Sequence, residues 1–310
     1  MRDFLSSDDV NPEEQSALIR RALDMKSGKK AKSKPLGGCS VGLIFEKPST
    51  RTRIAFEAAV FELGGHSITL RADELQLERG ETLEDTGKVL SGYLAAIVVR
   101  TFGQDRLESM ADASSIPVVN ALSDLEHPCQ ALADVMTVQE HFDDLSKVDL
   151  VYLGDGNNVC HSLLLAGAKA GLGRIRVACP KGFEPIEPVL DRAVAIGAET
   201  GCEITVSDDP AEAVKGADVL YTDVWTSMGR ESEQVERVGV FEKYRVDQLL
   251  LGAAAPGAIV MHCLPAHRGQ EISSEVMDGP ASVVWQQAAN RLPAQKALLE
   301  WLVGPGRRAR

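Results

Sequence analysis

The chain has 310 residues, 44% of them hydrophobic and 25% charged, with a formal net charge of -12. That length allows two domains of about 150 residues each, and the acidic balance excludes a general attraction to nucleic acid or to an anionic membrane surface. Any anion site must therefore be a local cluster of cations and backbone N–H groups. No apolar run reaches the ~20 residues of a membrane span, and the acidic, broken start MRDFLSSDDVNPEEQ does not read as a signal peptide. The six cysteines (39, 129, 160, 179, 202 and 263) show no CxxC pair. They are expected to be reduced thiols of a cytoplasmic protein, not a disulfide framework or a structural zinc site.

In chain order, strands are predicted at 41–45, 95–100, 117–121, 149–153, 174–178, 203–206, 218–221 and 258–262. Several are apolar throughout, as a parallel strand covered on both faces should be. Helical patterns lie between most of them. The alternation predicts an α/β protein with two doubly wound parallel-sheet domains joined by interdomain helices. A helix is expected over 128–142, with Pro128 at its first position. A polar turn follows, and a second α/β unit starts at Asp149. The boundary is placed at 138, giving domains 1–138 and 139–310, with a last helix at about 283–303 packing back on the first. The basic ending GPGRRAR is read as a solvated tail.

The first chemistry-bearing stretch is Ser49-Thr50-Arg51-Thr52-Arg53, after the strand at 41–45. Pro48 ends the extended segment and Ser49 is a favourable N-cap. The helix that follows is expected to bury Ile54, Ala58 and Phe61, and to stop at Gly64-Gly65. Ser49, Thr50, Arg51 and Thr52 then stand on a first helical turn at a strand's C-terminal end. Free N–H groups and the helix dipole favour an anion there, and Arg51 adds a forked donor that matches phosphate. Arg53 points about 200° away from Arg51 on the helix, so a structural ion pair is its expected role.

This stretch resembles the carbamoyl-phosphate motif of the aspartate and ornithine carbamoyltransferases. Further motifs stand in the family's order. His127-Pro128-Cys129-Gln130 is similar to its second signature, and Arg100 ends a strand where the family has a carbamoyl-phosphate arginine. Gln76 lies in a stretch similar to the loop that reaches a neighbouring subunit's site. Ser227-Met228-Gly229 and His262-Cys263-Leu264-Pro265 resemble the ornithine type, and Arg291 fits the final-helix arginine. One departure is Pro293, where the family often has histidine. It either kinks the last helix or sits in its first turn, with 290–291 still extended.

The resemblance implies transfer of the carbamoyl group of carbamoyl phosphate to the δ-amine of L-ornithine, giving L-citrulline and phosphate in arginine biosynthesis. It implies Arg100, His127 and Cys263 as catalytic residues. Carbamoyl phosphate would be held by Ser49, Thr50, Arg51, Thr52, Gln76, Arg100, His127, Pro128, Cys129, Gln130, Cys263, Leu264 and Arg291. Ornithine would be held by Asn158, Asp223, Ser227 and Met228. A homotrimer is implied, with Gln76 acting across subunits. No metal, organic cofactor, nucleic acid or membrane partner is implied. The charged stretch RESEQVERVG after Gly229 is expected to close over bound ornithine.

Two other readings compete with this one. Gly154-Asp155-Gly156 after a strand hints at dinucleotide binding, but the third glycine is missing and no acidic residue closes the next strand. A non-catalytic phosphate sensor would bind the donor and release no phosphate with ornithine. Within the family, an aspartate enzyme would carry a lysine in the loop near Gln76, and none precedes Lys88 there.

Overall fold

The computed structural model describes residues 2–28, 34–71, 80–226 and 234–304. Gln76, Ser227, Met228, the predicted closing stretch through Ser232 and Glu233, and the basic tail from Pro305 lie outside the described residues. The chain divides into two compact units, Met1–Met136 with Asn290–Arg310, and Thr137–Ala289.

The first unit runs α1 (Pro12–Lys26), β1 (Ser40–Phe45), α2 (Thr50–Glu62), β2 (His66–Arg71), α3 (Leu83–Ser91), β3 (Ala96–Arg100), α4 (Gln104–Ala113), β4 (Val118–Leu122) and the start of α5 (Pro128–His141). Its four parallel strands lie in the order β2-β1-β3-β4. β1, β3 and β4 are buried along almost their whole length, as their unbroken apolar runs require.

The second unit continues with β5 (Asp149–Leu153), α6 (Asn158–Lys169), β6 (Arg174–Ala178), α7 (Glu187–Thr200), β7 (Glu203–Ser207), α8 (Pro210–Ala213), β8 (Val219–Thr222), α9 (Gln234–Phe241), α10 (Gln248–Ala253), β9 (Ile259–His262) and α11 (Ser274–Met277). Its strands are also all parallel, in the order β7-β6-β5-β8-β9. A core of Val151, Leu153, Leu220, Trp225, Phe241, Tyr244 and Val260, with their neighbours, packs beside this sheet. The last helix, α12 (Val284–Val303), and α5 each cross the division between the units.

All eight predicted strands are present, with ends shifted by at most one residue. β2 was not predicted. It is the edge strand of its sheet and alternates exposed with half-buried residues, so it offers no apolar run to read. The predicted face of α2 is also corrected. Ile54 is 59% and Phe61 79% exposed, while Thr52, Phe56, Ala59 and Val60 are buried. Two apolar stripes interleave on this helix, and only one of them meets the sheet. Pro293 stands inside α12, not in its first turn, and Arg291 is helical. The ring removes one helical donor, yet the helix continues to Val303.

Candidate active site

In each sheet the strand order reverses once: at β1/β3 in the first unit and at β5/β8 in the second. Open α/β sheets bind ligands beyond the strand C-termini at such points. Ser49 and Arg100 in the first unit, and Asn158 and Asp223 in the second, fall there.

In the first unit, Ser49 is the N-cap of α2, and its Oγ accepts from the Thr52 N–H at 3.3 Å. The first turn of α2 holds no acidic side chain to oppose an anion at its N-terminus. Thr50 and Arg51 are exposed, whereas Thr52 is buried. Arg53 pairs with Glu57 at 2.9 Å along the helix. Arg100 ends β3 and is largely buried, as are His127, Pro128, Cys129 and Gln130 at the start of α5.

Arg291 of α12 joins these motifs. Only 4% exposed, it donates from Nη1 to Gln130 Oε1 at 2.6 Å and from Nη2 to Thr52 Oγ1 at 3.0 Å. Gln130 in turn donates from Nε2 to Asp134 Oδ1 at 2.8 Å, which fixes its amide orientation. The Cys129 thiol donates to Asn120 O at 3.3 Å, and burial pushes it up to about 12. It stays protonated and turned inward, which leaves its main chain as the part available to a ligand.

Burial, followed by the fields of Arg291, Arg100 and Arg51, holds the His127 imidazole well below its ordinary 6.5. The ring is therefore neutral near pH 7 and can donate one N–H without adding charge. In the unfolded chain His127 takes up a proton as pH falls through about 6.5, and in the folded chain only well below that. The folded state accordingly loses stability as pH falls from about 6.5 toward the folded value, and recovers it above 6.5. His127→Gln should remove this component. The melting temperature of wild type minus that of the variant should become more negative between pH 7.5 and pH 5. A pH-independent difference in thermal melts would overturn the assignment.

In the second unit, Asp223 follows β8 and Cys263 follows β9. Cys263 Sγ donates to Asp223 Oδ1 at 2.9 Å, and Asn157 Nδ2 donates to Asp223 Oδ2 at 2.8 Å. Asn157 also caps α6, its Oδ1 accepting from the Val159 and Cys160 N–H groups at 2.9 and 3.2 Å. Asn158 is the first residue of that helix. The turn before it needs Gly156, because a Cβ there would lie 2.3 Å from the Pro185 backbone nitrogen.

His262 braces the segment carrying Cys263 and Leu264. Its Nδ1 accepts from the Leu264 N–H at 2.9 Å, and its Nε2 meets the fully buried Glu271 at 3.1 Å. Leu264 adopts φ 62° ahead of a cis peptide bond to Pro265, a conformation an unbraced leucine rarely takes. Asp223, His262 and Cys263 bring one potential metal-ligand atom each within 4.8 Å of one another. Both His262 nitrogens are already committed to the brace.

Three residues were missed by sequence reasoning as contributors: Asn157, which orients Asp223, and the pair His262 and Glu271, which shapes the Cys263 segment. Asn157 had a signal in its N-cap position after a strand. Glu271 had none, since its partner is fixed only by the fold.

A helix start with no acidic side chain in its first turn, three arginines whose fields meet at His127 and, in the second unit, a carboxylate–thiol pair fit an α/β group-transfer enzyme. The family model for the carbamoyl-P binding domain of aspartate/ornithine carbamoyltransferase matches residues 2–140, and that for the Asp/Orn binding domain matches 146–302. The chain is 58% identical over 305 residues to an ornithine carbamoyltransferase of Parafrankia sp., covering 97% of this chain and 96% of the relative. It is 51% identical to one of Rhodococcus opacus, covering 98% and 96%. The structure superposes on the ornithine carbamoyltransferase of Pyrococcus furiosus with TM-score 0.93 at 47% identity, covering 98% and 97% of the two chains. The corresponding values for that of Gloeobacter violaceus are 0.89 and 46%, covering 98% and 99%. The chain belongs to the aspartate/ornithine carbamoyltransferase family and is a carbamoyltransferase.

Proposed function

We propose that the chain transfers the carbamoyl group of carbamoyl phosphate to the δ-amine of L-ornithine, in the direction of arginine synthesis, as a cytoplasmic homotrimer. The observation that carries the choice of acceptor is Asp223, buried and hydrogen-bonded to both Cys263 and Asn157. A carboxylate held in place receives an ammonium group. An aspartate substrate would instead require a cation for its second carboxylate.

In this reading the N-terminus of α2, with Ser49, Thr50, Arg51 and Thr52, holds the phosphate and stabilises the charge that gathers on it as the C–O bond breaks. Arg100 and the neutral His127 donate to the carbonyl oxygen as it becomes an oxyanion, with Thr52 beside them. Arg291 completes that oxygen's surroundings while holding Gln130, whose amide receives the carbamoyl NH2. Asp223 takes the α-ammonium of ornithine, Ser227 adds a contact, and Asn158 at the start of α6 takes the α-carboxylate with the Met228 backbone. The δ-amine attacks only after losing a proton, since a free alkylamine near pKa 10 is almost fully charged at neutral pH. Cys263 is the group placed to steer that proton, and the departing phosphate carries a proton away. Gln76 acts from the neighbouring subunit.

The test is citrulline formation from carbamoyl phosphate with L-ornithine, alongside L-aspartate and putrescine. Citrulline from ornithine, with aspartate and putrescine inert, is expected. Carbamoylation of aspartate or putrescine instead would overturn the acceptor assignment. Phosphate release with none of the three would exclude all of them as acceptors.

A further inference from the structure

Glu126, immediately before His127, is only 2% exposed, and both its carboxylate oxygens are bound by residues at the start of the chain. Ser6 Oγ donates to Oε1 at 2.5 Å and the Ser7 N–H donates to Oε2 at 2.8 Å. Ser6 is itself fixed. Its Oγ accepts from the Asp8 N–H at 3.0 Å, and its own N–H donates to Asp9 Oδ2 at 2.9 Å, so both sides of a capping box are closed.

The segment behind it is anchored like a strand. The Phe4 N–H donates to Val118 O at 2.9 Å and the Asn120 N–H to Phe4 O at 2.8 Å, a parallel rung on the outer edge of β4. Asn120 Nδ2 donates to Leu5 O at 2.8 Å. Arg2 pairs with Glu14 and stands 4.5 Å over the Trp301 ring. On the other side of Glu126, the turn from Ser123 is closed at both ends. The Ser123 N–H donates to Glu126 O at 2.8 Å, and the Glu126 N–H to Ser123 Oγ at 3.1 Å.

We propose that Glu126, held by Ser6 and Ser7, is a positioning residue that sets the place of the His127 ring for carbamoyl transfer. A carboxylate buried this deeply costs free energy that an apolar side chain would not. What it supplies is direction: two bonds of fixed geometry, from a segment more than a hundred residues away, to the residue adjoining His127. His127 caps the start of α5, its carbonyl accepting from the Gln130 N–H at 2.9 Å, so a displacement at 126 is passed to the helix start. A misplacement of 1 Å is enough to cost a catalytic donor its effect.

This inference rests on the role given to His127 above, and the experiment separates the two. The full-length chain and its variants Glu126→Ala, Glu126→Gln, Ser6→Ala and Ser6→Ala/Glu126→Ala would be compared by three readouts. These are the His127 imidazole NMR signal, assigned by its loss in His127→Gln, the kcat for citrulline formation, and affinity for inorganic phosphate. Glu126→Ala should shift the ring signal and lower kcat about tenfold, and Ser6→Ala about threefold, with phosphate affinity within about twofold. The double variant should be no worse than Glu126→Ala, and Glu126→Gln should recover most of the rate.

Unchanged ring signal and kcat, with only a lower melting temperature, would show Glu126 to be a stabilising contact and overturn the proposal. If Glu126→Ala fails to fold, Ser6→Ala decides the matter by the same readouts. If the wild type makes no citrulline, the proposed function fails, while the ring signal still decides the positioning role.

Discussion

Replacing Arg291 by methionine should lower kcat/KM for carbamoyl phosphate about a thousandfold, or about 4 kcal/mol. Two losses combine. The guanidinium fork that bonds Gln130 Oε1 and Thr52 Oγ1 disappears, and a buried cation beside His127 is removed. The broken bonds alone should destabilise the first unit by about 1–3 kcal/mol, because both acceptors are buried. Arg291→Lys separates the parts. Lysine keeps the charge but cannot bond two acceptors as a fork, so it should restore part of the rate and little of the substrate orientation. The field on His127 weakens in the methionine variant, so its folded-state value moves up toward 6.5; the acid loss still begins near 6.5 but levels off at a higher pH and is smaller than in the wild type. Steady-state kinetics with thermal melts at several pH values would check this. A methionine variant with wild-type kcat/KM would remove Arg291 from the donor site.

Asp223→Asn should lower kcat/KM for L-ornithine by about a thousandfold while leaving the affinity for carbamoyl phosphate within about twofold. The two carboxylate oxygens accept from Cys263 Sγ and from Asn157 Nδ2. An asparagine offers one acceptor and one donor, so one of those neighbours must face a donor across a hydrogen-bond distance. The charge that would receive an ammonium group is lost as well. Isothermal titration with carbamoyl phosphate, set beside ornithine kinetics, tests the selectivity of the loss. Equal damage to both substrates would mean that Asp223 serves the fold of the second unit, not the acceptor.

The sheet strands were legible where burial on both faces leaves an uninterrupted apolar run, as in Ile97, Val98 and Val99 of β3. β2 was not, because an edge strand with one wet face carries no such run. The face of α2 was not either. Ile54 and Phe61 satisfy helical spacing as well as Phe56, Ala59 and Val60 do, and only the sheet decides which stripe is covered. The candidate site residues stand out in the sequence as motifs, since hydroxyls and arginines at a strand-to-helix turn have a local signature. The couplings between motifs were not. That Arg291 reaches Thr52, that Asn157 orients Asp223 and that Ser6 holds Glu126 are contacts made only when the chain folds.

The division of the chain has a bearing on the order in which the two units are completed at the ribosome. The second unit is one continuous stretch, Thr137–Ala289, whereas the first takes its last helical turns from Asn290–Arg310. Arg291 follows its partner Gln130 by 161 residues, a delay of roughly 8–30 s at ordinary rates of synthesis. The second unit can finish while the chain is still being made, but the first waits for the final segment. Chains released before Arg291 is made would carry an assembled Asp223–Cys263 pair and lack the guanidinium fork between Gln130 and Thr52.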